Sequence, residues 1–263
     1  TTGAGDDTVT VSSGTGNNTI DVGDGNNTVY LYGTGANGVT VGDGNNTLYT
    51  GRGNNTFTVG TGTNTMNYSI ATEALTIDMQ AGTAVDTGTA GTAVSDSFTG
   101  VTRVVGSNFG DVITGNNTGT YIWGGSTANT ITGGTSVDYI YAGSAGDTID
   151  GGGGADFLYG GAGDDSFINP TAGTAYDGTY GGSIGASEVN LVDYSSEGTG
   201  LTINLSSGVG VGGSADGSTY TDINHIITGT GNDTLIAGNA NTRLEGGNGV
   251  NRLTGGSGDD TLI

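Results

Sequence analysis

The chain has 263 residues, of which 57 are glycine, one is proline and none is cysteine. The absence of cysteine excludes disulfides, thiolate metal sites and cysteine nucleophiles, and the glycines follow no Gly-X-Y triplet, which excludes collagen. Twenty-six acidic residues against four arginines and no lysine give a net charge of −22. Such a surface repels nucleic acid and anionic lipids, and no apolar stretch approaches the roughly 20 residues of a membrane span. We therefore expect no nucleic-acid partner and no membrane insertion, and a hard cation as the natural partner.

The N-terminal part of the chain, residues 1–67, repeats a Gly-x-Gly pair every nine to eleven residues. An apolar residue follows six positions after the first glycine of each pair: Val9, Ile20, Val29, Val39, Leu48, Phe57 and Met66. Glycine permits a tight turn, and the short strand that follows turns one side chain inward. One such unit cannot fold alone, but stacked units bury a continuous thin core, which predicts a β-solenoid. A disordered glycine-rich linker has a similar composition but does not keep the apolar residues in phase.

Two segments between the arrays, residues 68–105 and 169–227, share short sequences and are predicted to be linking strands. Tyr68-Ser69 and the strand-like run from Leu75 recur as Tyr194-Ser195 and the run from Leu201. The single histidine, His225, aligns with an arginine of the first segment, which indicates a surface strand position. The two copies suggest that a module of strands, insert and array is duplicated.

Residues 106–168 keep a strict nine-residue period through seven units. The eighth place of each unit is apolar: Ile113, Ile122, Ile131, Ile140, Ile149, Leu158 and Phe167. The sixth place holds Asp111, Thr120, Asn129, Asp138, Asp147, Asp156 and Asp165. A shorter array, residues 228–263, has leucines at the apolar place. Because the chain begins and ends inside repeats, we expect it to be a section of a longer polypeptide or one whose flanks have been removed.

The units Gly151–Tyr159 and Gly160–Ile168 resemble the RTX nonapeptide, G-G-x-G-x-D-x-U-x, of calcium-binding type I secreted bacterial proteins. The resemblance implies an all-β fold, a parallel β-roll or right-handed β-solenoid in which two nonapeptides form one turn of about 18 residues. Ca²⁺ would lie between successive turns. Its ligands would be backbone carbonyls, the sixth-place aspartate of one unit and that of the unit two further on.

Carried onto this chain, the resemblance pairs Asp138 with Asp156 and Asp147 with Asp165. Sites that pair an aspartate with an asparagine, or have no second carboxylate, would be weaker. The candidate calcium ligands are Asp138, Asp147, Asp156, Asp165, Asp111, Asp233, Asp260 and Asp7. Calcium takes six to eight oxygen ligands, which turn carbonyls and carboxylates can supply. For the isolated Asp7, a hydrogen bond to its own turn is an equal alternative.

The N-terminal array differs at the sixth place, where Asp7 is followed by Asn18, Asn27, Asn37, Asn46, Asn55 and Asn64. Amides in place of carboxylates should weaken or abolish calcium binding. Stacked asparagines can instead bond to one another along the coils. We therefore expect residues 3–67 to be held mainly by amide and backbone ladders.

These features favour a secreted, extracellular protein whose Asp-rich turns fold on binding calcium. Its Gly, Thr and Asn richness is most like RTX-type surface-layer proteins, which predicts a structural protein at the bacterial cell surface, with self-association or cell-surface polysaccharide as partner. Two alternatives are a calcium-dependent folding and export module of a secreted enzyme, such as a protease or lipase, and an RTX adhesin segment. We expect no enzymatic activity, because the chain contains no HExxH motif and its single histidine, His225, aligns with a surface strand position.

Overall fold

A computed structural model describes residues 1–86, 94–168 and 188–263, together with the backbone of residues 175–177. The rest of the predicted linking segments 68–105 and 169–227 lies outside the described residues. The described chain is all β, apart from a single 3-10 turn, Gly213–Ala215. No helix in these ranges has the length and apolarity needed to cross a bilayer. The chain divides into two compact units, unit 1 (Thr1–Asn116 and Thr120–Asn129) and unit 2 (Asn117–Gly119 and Thr130–Ile263).

Unit 1 is built from short strands that alternate between two sheets. The strands are β1 (Thr8–Val11), β2 (Thr19–Asp21), β3 (Thr28–Leu31), β4 (Gly38–Val41), β5 (Thr47–Tyr49), β6 (Thr56–Val59), β7 (Thr65–Asn67), β8 (Leu75–Asp78), β9 (Thr83–Asp86), β10 (Ser95–Thr99), β11 (Arg103–Val105), β12 (Val112–Thr114) and β13 (Tyr121–Gly125). One sheet has the order β1-β3-β5-β7-β11-β13, and the other has the order β2-β4-β6-β10-β9-β8-β12.

Pairing in unit 1 is parallel except where β9 lies antiparallel between β8 and β10. Hydrogen-bonded residues of successive coils are 20, then 19, then 18 positions apart. Each coil thus contributes one strand to each sheet, as the repeat predicts. The antiparallel pair is a finding that the repeat did not predict.

Unit 2 has the same construction. Its strands are β14 (Thr130–Gly134), β15 (Tyr139–Gly143), β16 (Thr148–Gly152), β17 (Phe157–Gly161), β18 (Ser166–Ile168), β19 (Ala175–Asp177), β20 (Leu191–Asp193), β21 (Thr202–Asn204), β22 (Val209–Val211), β23 (Thr219–Thr221), β24 (His225–Ile227), β25 (Thr234–Ile236), β26 (Arg243–Glu245), β27 (Arg252–Thr254) and β28 (Thr261–Leu262). One sheet runs β15-β17-β19-β23-β22-β21-β25-β27 and the other runs β14-β16-β18-β20-β24-β26-β28. Only β22 pairs antiparallel among these described strands, with β21 and β23.

The core of each unit is one inward side chain thick. Every eighth-place residue from Ile113 to Phe167 is at most 1% exposed, as are Val29, Leu48 and Met66. Because side chains alternate across a strand, each inward residue has outward neighbours, mostly threonine in the first array. The stacked parallel coils confirm the all-β solenoid that the apolar phase predicts.

The described parts of the two linking segments fold alike. Tyr68 and Tyr194 are both fully buried. Their carbonyls accept hydrogen bonds from the N–H groups of Ala71 and Glu197, which closes the same turn in each copy. Each segment then enters a strand, β8 or β21, that pairs antiparallel with the next strand. The sequence similarity between the segments therefore reflects equivalent local structure.

Candidate metal centre

The sixth-place aspartates lie inside the coils, at the ends of the glycine turns. Each immediately precedes a residue that starts a strand, and since the eighth place points inward, the sixth place points inward too. Asp138 is fully buried, and Asp147, Asp156 and Asp165 are each 1% exposed. Four carboxylates in the interior of so thin a core are costly unless they are paired or bind a cation.

The structure brings the predicted pairs together through a hydrogen bond between coils. The Oδ1 atom of Asp156 accepts the backbone N–H of Asp138 at 2.9 Å, and that of Asp165 accepts the N–H of Asp147 at 2.9 Å. Both bonds join residues 18 positions apart. One oxygen of each later aspartate therefore holds neighbouring coils in register. That these residues bind the ion remains a prediction.

The surroundings of the second carboxylate oxygen, Oδ2, indicate whether a cation would fit. The Oδ2 atoms of Asp165, Asp233 and Asp7 are buried and accept no hydrogen bond. Burying a charged oxygen without a donor is strongly unfavourable, and a divalent cation satisfies it. The residues present fit calcium, which prefers such hard oxygen ligands.

Glycine at the first place of the units that hold Asp138 and Asp156 leaves room for their Oδ2 atoms. A Cβ atom added to Gly133 would lie 2.6 Å from Asp138 Oδ2, which accepts the N–H of Gly134, and one added to Gly151 would lie 2.5 Å from Asp156 Oδ2. A side chain at either glycine would crowd this carboxylate oxygen, whereas the unit that holds Asp147 has Ala142 at its first place. The repeated glycine is thus part of the candidate site and not only a means of turning the chain.

The raised pKa values of the buried aspartates also favour a cation site. Burial raises the pKa of Asp156 to about 7; the N–H of Asp138 opposes this rise, and the carboxylates of Asp138 and Asp150 add to it. Burial likewise raises the pKa of Asp165 to about 7 against the N–H of Asp147, with further increases from nearby acidic side chains. A bound cation would reverse both effects, because it favours the charged carboxylate.

Each site can contribute few carboxylates. In the described ranges, no three acidic or histidine side chains converge to hold an ion. A calcium ion between two coils would therefore take most of its six to eight oxygens from backbone carbonyls of the glycine turns. This agrees with the ligand set that the family resemblance implies.

The remaining candidate ligands differ in the hydrogen bonds that their carboxylate oxygens already accept. The N–H of Asp233 donates to Asn251 Oδ1 at 2.9 Å, which places an amide where a second carboxylate would be. Asp260 is half-buried, and its Oδ2 accepts the N–H of Gly256 at 2.6 Å. Both oxygens of Asp111 accept hydrogen bonds, from Leu75 and Ser107, while its own N–H donates to Asn129 Oδ1 at 3.0 Å. Burial raises the pKa of Asp111.

The asparagines of the first array form the expected amide ladder. Asn37 Oδ1 accepts both the N–H of Asn18, at 3.2 Å, and its Nδ2, at 2.7 Å. Asn46 donates from Nδ2 to Asn64 Oδ1 at 2.9 Å and to the carbonyls of Gly42 and Gly44. These turn carbonyls are the atoms that a metal would use. The absence of calcium from this array remains a prediction.

Three residues of these ladders were missed by the sequence analysis. Asp96, 2% exposed, ends one asparagine ladder by accepting the N–H and Nδ2 of Asn55 at 2.7 and 2.9 Å. Asn190 Oδ1 accepts the N–H of Asp165 at 3.1 Å, and Asn224 Oδ1 accepts that of Asn190 at 2.8 Å. The steps are 41, 25 and 34 residues, so no fixed period identifies these positions.

Comparison with known families agrees with this geometry. The family model described as RTX calcium-binding nonapeptide repeat (4 copies) matches residues 1–33, 31–66, 114–147, 123–158, 141–168, 219–241 and 236–263, which together are more than half of the chain. The matched ranges include every candidate ligand except Asp111. Calcium is the ion that these repeats bind, and bacteria typically secrete the proteins that carry them. No curated protein matches the chain.

Proposed function

The chain belongs to the RTX calcium-binding nonapeptide repeat family, and from this premise we propose that it is an extracellular structural protein of a bacterial surface layer or a similar cell-surface assembly. Calcium closes its Asp-rich coils, and copies of the chain then associate. The calcium dependence rests on the buried aspartate oxygens described above. The assembly rests on one further observation, the exposed valines of the inserted strands.

These valines occupy equivalent places in the two linking segments. Val85 on β9 pairs with Thr76, and Val211 on β22 pairs with Thr202, in the same antiparallel register. Val85 is 38% exposed, Val211 is 56% exposed, and Val209 on the same strand is 45% exposed. Exposed apolar residues in corresponding positions support a contact surface, which we assign to a second copy of this chain.

Such an assembly would depend on calcium, because the Asp-rich coils fold only when the ion is bound. With a net charge of −22, the metal-free chain repels itself, and binding the cation contributes folding free energy. Extracellular modules bind calcium with a Kd on the order of 10⁻⁴–10⁻³ M. The Asp-rich coils would thus stay unfolded at the much lower calcium level inside a cell, and fold and associate outside.

A structural role without catalysis is part of the proposal. The only histidine, His225, bonds through Nε2 to Glu245 Oε1 at 2.9 Å, and Arg243 Nε contacts the same oxygen at 2.7 Å. These side chains lie on neighbouring outward strand positions, where an ion pair is an ordinary surface feature. The alternative is that the chain is the calcium-dependent export module of a secreted enzyme, which family membership alone would equally support.

Electron microscopy and sedimentation of the purified chain test the proposal. In millimolar calcium we expect ordered sheets or filaments that disappear in chelator. The double variant Val209→Ser/Val211→Ser should still fold with calcium but should not assemble, whereas Val250→Ser, which changes a valine that is 83% exposed in a turn, should assemble normally. A chain that folds with calcium yet stays monomeric at all concentrations would contradict the assembly and favour the export module.

A further inference from the structure

A small cavity in unit 1 lies away from the sixth-place residues. It is bounded by the end of β3, the turn after β5 and the linking segment that follows β7. Its volume is about 190 Å³, and its lining residues are Leu31, Tyr32, Gly51, Arg52, Ile70 and Thr72. The calcium-dependent function proposed above uses none of these residues.

Local sequence explains why the cavity forms. A Cβ atom on Gly51 would lie 2.5 Å from the backbone nitrogen of Ala71, so only glycine lets the linking segment cross this turn so closely. Leu31, 1% exposed, gives the cavity a buried apolar wall. The carbonyl of Arg52 accepts Asn55 Nδ2 at 3.0 Å, which fixes the turn that carries the arginine.

Arg52 is exposed at the rim and makes no ion pair with any residue that the structure describes. Arg243 is the arginine that pairs with a carboxylate among the described residues, so the positive charge of Arg52 at the rim of the cavity is open to a ligand. Its planar guanidinium can hold a carboxylate through two parallel hydrogen bonds. The charge of this cavity therefore suits an anionic ligand.

Tyr32 adds an aromatic wall that is held in place by its neighbours. Its ring stacks on that of Tyr30, with centroids 5.9 Å apart, and Tyr30 stacks on Tyr49 at 4.5 Å. Tyr32 remains 45% exposed. The negative face of an aromatic ring attracts the weakly positive C–H groups of a sugar ring.

We propose that this cavity binds one acidic sugar residue of a polysaccharide, a pyranose ring that carries a carboxylate. The carboxylate pairs with the Arg52 guanidinium, the ring packs against Tyr32, and the Thr72 hydroxyl bonds a sugar hydroxyl. The small volume admits a single sugar unit.

Isothermal calorimetry on the full calcium-loaded chain tests the site with three probes: D-glucuronate, D-glucose and acetate. We expect saturable binding of glucuronate, with glucose and acetate each weaker by about tenfold or more, because each lacks one of the two recognised features. Arg52→Ala should weaken glucuronate binding by about tenfold or more and Tyr32→Ala by severalfold. Arg252→Ala, which removes the same charge from an exposed arginine of β27, should leave binding unchanged.

Several outcomes would overturn this assignment. Acetate binding as tight as glucuronate, with no effect of Tyr32→Ala, would mean a simple anion site. Glucose binding as tight as glucuronate, with no effect of Arg52→Ala, would mean a neutral sugar site, and absence of saturable binding would mean no site. Because Arg52→Ala should keep the calcium-induced change in circular dichroism, failure of the sugar site and failure of the calcium-dependent fold can be told apart.

Discussion

At the residue scale, an asparagine or aspartate at the sixth place uses two atoms for two purposes. Its Oδ1 accepts a backbone N–H from the preceding coil, whether the residue is Asn46 or Asp165. The second atom differs: Asn46 Nδ2 donates to turn carbonyls, whereas Asp165 Oδ2 is buried without a donor. A carboxylate oxygen in place of the amide nitrogen therefore converts a coil that satisfies its own hydrogen bonds into one that needs a cation for its charged form.

This difference makes Asp165→Asn a direct test of the calcium site. The amide keeps the acceptor for the N–H of Asp147 and can donate to the carbonyls of its own turn, as Asn46 does. We expect the calcium concentration at the folding midpoint to rise about tenfold or more, because one ligand charge is lost. In chelator the folded fraction should not decrease. Calcium titration followed by circular dichroism measures both.

Asp164→Asn is the matched control, since this exposed neighbour loses the same charge while its Oδ1 can still accept the N–H of Val189. Its folding midpoint should shift by less than about threefold. Equal shifts in the two variants would mean that calcium responds only to net charge and that Asp165 is not a ligand.

Asp96 links pH to stability in unit 1. Burial raises its pKa to about 7, against hydrogen bonds from Asn55 and Thr50 and a contact with Tyr68. Because folded Asp96 holds its proton more tightly than the unfolded chain does, its stabilising contribution is complete below about pH 4. It is lost as the pH rises through about 7, by at most about 4 kcal/mol.

We therefore expect Asp96→Asn to remove most of the decline in unit 1 stability between pH 5 and pH 8. Hydrogen exchange of the Phe57 amide in chelator measures it. Asp21→Asn, which takes a charge from an exposed strand position, should keep the decline. If the Asp96 variant declined as steeply as the native chain, another group would have to be responsible.

At the element scale, a buried hydrogen bond inside the coil and an exposed one at the edge of the turn contribute differently to stability. Asn46 is fully buried and accepts the N–H of Asn27 at 3.0 Å, while its neighbour Asn45 is exposed and accepts that of Thr63 at 2.8 Å. Water can replace a hydrogen bond at the exposed position but not at the buried one.

Asn46→Ala should accordingly cost about 2–3 kcal/mol of unfolding free energy, since it leaves the Asn27 N–H and two turn carbonyls without partners. Asn45→Ala should cost less than about 0.5 kcal/mol. Urea unfolding in chelator, followed by exchange of amides in β3 and β5, gives both values. Equal losses would show that the amide ladder does not stabilise this array.

The sequence predicts these elements wherever the period is strict. The eighth-place residues and the pairs Asp138–Asp156 and Asp147–Asp165 lie where an 18-residue coil requires. Asp96 was missed because the chain leaves the coil between Asn55 and Asp96 to form β8 and β9, which breaks the period. The orphaned oxygens and the Arg52 cavity depend on side-chain geometry across coils, which no spacing specifies.

At the scale of the whole molecule, the stability of each coil depends on charge repulsion and on whether its ladder is made of asparagines or aspartates. The repulsion of a −22 chain acts on every coil, but the asparagine ladder of unit 1 satisfies its own hydrogen bonds. In unit 2, burial instead raises the pKa values of Asp156 and Asp165 to about 7, and a bound cation would stabilise their charged forms. Calcium removal should therefore affect the two arrays unequally.

Hydrogen exchange in calcium and in chelator measures that inequality on one sample. We expect the amides of Ile140 and Ile149 in unit 2 to lose protection about a hundredfold or more in chelator, while those of Val29 and Leu48 in unit 1 change by less than about tenfold. Raising sodium chloride to 1 M in chelator screens the repulsion without supplying ligands, and it should not restore protection at Ile140. Equal loss in both arrays, or full recovery in salt, would show that calcium acts by neutralising the chain as a whole and not by binding between the Asp-rich turns.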